Sequence, residues 1–115
     1  MARLVVDGDD VVVRLTPRER LLALRRDVRV PAAAITQVRI EPDWWRALRG
    51  TRRSGLYVPD RYCAGERQHP GGVDFAAVRE GGPVVVVELR PSAPYARLAV
   101  SVADPERTVE EIRRR

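Results

Sequence analysis

The sequence has no lysine, one cysteine (Cys63), one histidine (His69), one phenylalanine and one methionine. Each scarcity closes off some chemistry. A lone cysteine cannot form an internal disulfide, which fits a reducing compartment. One cysteine and one histidine cannot supply the four ligands of a closed zinc site. Asp7, Asp9 and Asp10 lie close together but lack the glycine and distal glutamate spacing of a calcium loop, and read as a solvated hairpin turn. No apolar run is longer than Val84 to Val87, far short of the roughly 20 residues that cross a bilayer as a helix. The first apolar stretch, Leu4 to Val6, is broken at once by Asp7-Gly8-Asp9-Asp10, so no secretory leader is legible. These absences predict a cytoplasmic protein with no transmembrane segment, no metal and no cofactor.

What is abundant is arginine. All 21 basic residues are arginine, and they give a net charge of +5. A GC-rich genome is the simplest source of that bias, so the total by itself is weak support for phosphate binding. The distribution says more. Residues 14 to 29 carry six arginines against Glu19 and Asp27, and residues 46 to 67 carry six against Asp60 and Glu66. With 44% apolar residues interleaved among these charges, the chain has what a globular core requires, and 115 residues make one domain of common size, 1–115.

Local patterns predict the elements. Val11, Val13 and Leu15 alternate as a strand, and Val5-Val6 pairs with it across the Asp7–Asp10 turn. Thr16-Pro17-Arg18-Glu19 is a capping box with proline in the first turn, opening a short helix that ends near Arg25-Arg26. Strands follow at Val28–Val30 and Ile35–Ile40. Asp43 to Gly50 reads as one or two helical turns, with Asp43 as N-cap and Gly50 as stop. Short extended pieces are expected at 56–58 and 61–64, then strands over 73–78, 84–89 and 97–102. His69-Pro70-Gly71-Gly72 and Glu80-Gly81-Gly82-Pro83 are turns. Asp104-Pro105-Glu106 starts a last helix with Pro105, Val109 and Ile112 on one face and Arg113-Arg114-Arg115 at its C-terminus. About seven strands with turns roughly every ten residues argue for a mostly-β sandwich or barrel. The expected core is Val11, Val13, Leu15, Leu21, Val30, Ile35, Val38, Phe75, Val85, Val87, Leu98, Val100, Val109 and Ile112.

Certain stretches carry a resemblance: Leu15-Thr16-Pro17-Arg18-Glu19, Asp27 to Pro31 leading to Ile35 and Val38, Trp45-Arg46 with Leu48-Arg49-Gly50, Asp74-Phe75, and Val102 to Pro105. On these the chain resembles a group of small actinobacterial pleckstrin-homology-like (PH-like) proteins, over nearly its whole length. The sequence departs from that group at Arg53-Ser54-Gly55-Leu56 and at Gly65-Glu66. The resemblance implies a seven-stranded antiparallel barrel or sandwich closed by a C-terminal α-helix, with short helices in its loops. It implies no ligand by itself, since one fold hosts many functions.

Four kinds of site come into question. A Cys63–His69 pair is the only arrangement suited to nucleophilic catalysis, but Cys63 lies on an expected strand and reads as core, so no catalytic residues and no enzyme are expected. Gly71-Gly72 and Gly81-Gly82 sit between strands rather than at a strand-to-helix junction, so no phosphate cradle forms there. Anion binding, to lipid headgroups or nucleic acid, would use the two arginine-rich segments, 14–29 and 46–67: Arg18, Arg20, Arg25, Arg26 and Arg29 for a headgroup, whose bland reading is a solvated helix face, and the arginines and aromatics of 44–62 for stacking bases and holding phosphates. The remaining reading also falls on segment 44–62. Trp44, Trp45, Arg46, Arg49, Arg52, Arg53 and Tyr57 interleave aromatics with cations. Neighbouring tryptophans point about 100° apart on a helix, so one is core and the other exposed. Exposed tryptophan beside arginine is the composition of protein interfaces. The expectation is therefore a non-catalytic binding or scaffold module that contacts a protein partner or a second copy through 44–62.

Overall fold

A computed structural model describes residues 1–114; Arg115 lies outside the described residues. Two antiparallel hairpin steps build the first sheet. Strand β1 (Arg3–Asp7) turns through Gly8-Asp9 into β2 (Asp10–Arg14), and β2 pairs with β3 (Val28–Pro31). Between β2 and β3 stands α1 (Pro17–Ala23). Its capping box is complete: the Thr16 hydroxyl accepts from the Glu19 N–H at 3.2 Å, and the Glu19 carboxylate accepts from the Thr16 N–H at 2.8 Å. The helix stops at Leu24, a bulky residue in the left-handed region (φ 55°).

The second sheet comprises β4 (Ile35–Glu41), β5 (Thr51–Arg52), β6 (Leu56–Val58), β7 (Tyr62–His69), β8 (Gly72–Arg79), β9 (Val84–Leu89) and β10 (Arg97–Val100). Its order is β4-β9-β10-β8-β7-β5, with β6 also on β7. Pairing is antiparallel except between β8 and β10, which run parallel. The fold is mostly β with a C-terminal helix, as expected, but the seven antiparallel strands of the expected barrel or sandwich are corrected. Among the described residues ten strands form two sheets, one pairing is parallel, and the sheets do not close into a barrel. The turn at 80–83 reverses the chain as expected, but β10 inserts between the two strands it joins.

Helix α2 (Pro105–Arg113) spans the gap. Asp104 caps it by accepting from the Arg107 N–H at 3.2 Å, Val109 and Ile112 are buried, and the helix packs against β1, β4 and β9. The main core lies between the sheets and holds every expected residue except two. Ile35 is half-buried, and Leu21 is 72% exposed because α1 turns Leu22 and Ala23 inward instead.

A second apolar layer covers the opposite face of the large sheet. Cys63, Ala76, Val78, Val84, Val86 and Ala99 point outward from it and are roofed by Trp44, Ala47 and Leu48. This is why the run at Val84–Val87 is continuous rather than alternating: β9 is buried on both faces. The roofing segment is a single 3-10 turn, Trp44–Ala47, rather than a capped α-helix. Asp43 makes no capping bond and lies 3.4 Å from Arg46.

Candidate functional site: an aromatic face clamped by a row of buried charges

The registers of the large sheet line up residues that are far apart in sequence. Gln37 lies opposite Glu88, Glu88 opposite Arg97, Arg97 opposite Asp74, and Asp74 opposite Arg67. A row of alternating charge therefore crosses the outer face, with Arg67, Asp74 and Arg97 each at most 7% exposed. Buried charges require partners with good geometry, and segment 44–50 supplies them. The Arg97 guanidinium grips Glu88 with two 2.8 Å bonds and donates a third to the Ala47 carbonyl at 3.2 Å. Arg67 donates to the carbonyls of Arg49 (3.0 Å) and Gly50 (2.6 Å) and lies 4.6 Å over the Tyr57 ring. Arg49 reaches down to Asp74 with two bonds of 2.8 Å. Gly50 makes this approach possible: at φ 67° a Cβ would run into the Gln68 carbonyl.

The segment is thus tied to the sheet at Ala47, Arg49 and Gly50, which places the expected contact residues in two groups. Arg49 faces inward and is committed to Asp74. Trp44 is half-buried in the roof and meets Trp45 edge to face at 6.3 Å. Trp45 is 57% exposed, and Arg46, Arg52, Arg53 and Tyr57 are exposed. One tryptophan in and one out matches the sequence reading. Sequence reasoning missed Arg67, Asp74, Glu88 and Arg97. The signal for them was a charge on each of four neighbouring strands, with signs that alternate once the register is known.

Burial and ion-pair partners shift groups along this face. Burial alone would push the Glu88 carboxyl up, but hydrogen bonds and charge from Arg97, with Arg49 and Arg39, hold it below the usual carboxylate range. Burial pushes the Cys63 thiol up, only partly offset by Arg67. His69 has both ring nitrogens engaged. Nδ1 accepts from the Gly71 N–H at 3.1 Å, so Nε2 carries the proton shared with Asp74 at 2.9 Å. Neither nitrogen is placed to take a proton from Cys63. Among the described residues no three histidine, cysteine or acidic side chains gather as a metal site, and no helix is long and apolar enough to cross a membrane.

The other arginine segment is arranged differently. Arg29 binds Asp7 (2.8 Å) and Asp10 (3.1 Å), while Arg20 and Arg14 approach Asp27 at 3.3 and 3.6 Å. Arg25 lies 3.6 Å from Glu66 and over the Tyr95 ring. Only Arg18 and Arg26 of the five lack a carboxylate partner among the described residues. The two basic segments meet at Glu66, which takes Arg25 from one side and Arg53, at 3.5 Å, from the other. Set against protein-family models, curated proteins and solved structures, the chain matches none.

Proposed function

We propose that the protein is a non-catalytic, cytoplasmic binding module that docks an acidic protein partner on segment 44–62, with Trp45 as its anchor. The observation that carries this reading is a largely exposed tryptophan on a backbone tied down at three successive points. Tryptophan and arginine are the residues on which interface energy concentrates, and a face already held in place loses little entropy when a partner arrives. Five arginines against Asp60 alone make the segment basic. A two-fold contact with a second copy would set those arginines against themselves, which favours an acidic partner over self-association. The C-terminal helix set between two sheets supports the PH-like reading, and the parallel β8–β10 pair is a departure from it.

Anion binding through 14–29 has less support, since three of its arginines are neutralised by Asp7, Asp10 and Asp27. The test is a photo-crosslinking residue in place of Arg46, activated in host cells and followed by nuclease. A discrete protein adduct that Trp45→Ala abolishes is the expected result. Adducts that vanish with nuclease would assign the face to nucleic acid instead, and an adduct consisting of two copies of this chain would replace the acidic partner by self-association.

A further inference from the structure

The structure holds a cleft beside α1, separate from the Trp45 roof though it shares Arg61 and Tyr62 with the end of segment 44–62. Helix α1 stands against the start of β7 and the end of β8, and between them lies a hollow of about 720 Å³. Its origin is a pair of small side chains. Ala64 and Ala77 are direct cross-strand partners on the inner face of the sheet, where larger residues would fill the space beneath Leu22. The volume falls within the roughly 300–1,000 Å³ of small-molecule sites.

The lining divides by chemistry. Leu22, Ala64 and Ala77 give apolar walls, while Arg18, Arg61 and Arg79 stand around them. The two carboxylates present leave one of those cations unbalanced, and neither is paired with Arg18 or Arg79. Glu19 is held by the Thr16 N–H in the helix cap, and Glu80 is 3.9 Å from Arg61 in an exposed pair. Arg18 and Arg79 have no carboxylate partner among the described residues. Two guanidiniums without a salt-bridge partner, beside a hollow with apolar walls on one side, are complementary to a molecule with one anionic group and an apolar body.

We infer that this cleft binds a small amphipathic anion, a carboxylate or phosphate monoester carrying a hydrocarbon or aromatic tail. Guanidinium recognises the head, and the hollow floored by Ala64 and Ala77 takes the tail.

The test is calorimetry on the full chain with decanoate, decyl phosphate, decanol and inorganic phosphate, below micelle-forming concentrations. The expected result is saturable one-to-one binding of decanoate or decyl phosphate, at least about tenfold tighter than decanol or inorganic phosphate. Whichever of the two anions binds tighter identifies the head as carboxylate or phosphate. Arg18→Gln with Arg79→Gln, both exposed positions, should weaken binding about tenfold at unchanged melting temperature. Methyl NMR shifts should centre on Leu22, Ala64 and Ala77. Decanol binding as tightly as decanoate, inorganic phosphate binding as tightly as decyl phosphate, or shifts centred elsewhere would each overturn the inference, as would the absence of saturable binding.

Discussion

The chain has two arginine-rich regions of equal formal charge, and they use guanidinium in opposite ways. In 14–29 the arginines lie in solvent. Arg29 holds Asp7 below the usual carboxylate range through hydrogen bonds, yet both side chains are half exposed. Water and salt screen such pairs, so they contribute little to stability. In 46–67 the arginines that matter are buried or half-buried. Arg49 and Arg67, with Arg97 from β10, lie under or beside the roofing segment, and their bonds end on backbone carbonyls and buried carboxylates. The first region leaves most of its backbone to other forces. The second holds a loop in place, so that an aromatic side chain can be exposed on a rigid support.

Mutations should separate the two. Asp74→Ala strands Arg49 and His69 and should cost about 3–5 kcal/mol in urea unfolding, as removing one partner of a buried charge cluster does. Gly50→Ala forces a left-handed alanine against the Gln68 carbonyl and should cost about 1–3 kcal/mol or more by the same measurement. Thr16→Ala removes the α1 cap and should cost about 1 kcal/mol. Trp45→Ala should change stability by no more than about 0.5 kcal/mol while abolishing the crosslink from position 46. Arg29→Gln, in the solvated region, should leave the urea midpoint unchanged within error. A loss for Arg29→Gln as large as that for Asp74→Ala would erase the distinction.

Acid titration sharpens the same contrast. Because the folded Glu88 carboxyl titrates below its unfolded value, its contribution is complete above the unfolded value, near 4.5, and is lost as pH falls through the folded one. At high pH the sign reverses for Tyr95. Burial and its 2.6 Å hydrogen bond to Glu66 raise its phenol, so its contribution is present below the unfolded value, near 10, and is lost as pH climbs through the folded one. Unfolding free energies measured across pH in wild type and Glu88→Gln should show the acid-side loss flattened in the variant.

Much of the fold was legible because its signals are local. The Gly8-Asp9 hairpin, the Thr16–Glu19 box and the Asp104-Pro105 start of α2 each depend on residues within one turn. The parallel β8–β10 pair was not legible, because turn chemistry at 80–83 dictates a reversal and not which strands become neighbours. Leu21 was misplaced because two adjacent leucines on a seven-residue helix, with a third at its C-cap, leave the inward face undecided until α1 docks on the sheet. The site was half legible. Composition pointed to Trp44, Trp45 and the arginines around them. The row Arg67–Asp74–Arg97–Glu88 exists only once four strands are in register, and until then each charge reads as a solvent-facing residue of an alternating strand.

The central claim is that buried charges hold segment 44–50 in place before any partner binds. Amide hydrogen exchange tests it most directly. The N–H groups of Arg46 and Leu48 are bonded to the carbonyls of Asp43 and Trp45, at 3.0 and 3.2 Å. They should be protected in the wild-type protein and lose that protection selectively in Asp74→Asn, while the amides of β9 stay slow. Fast exchange at Arg46 and Leu48 in the wild type would show a mobile segment and contradict the account.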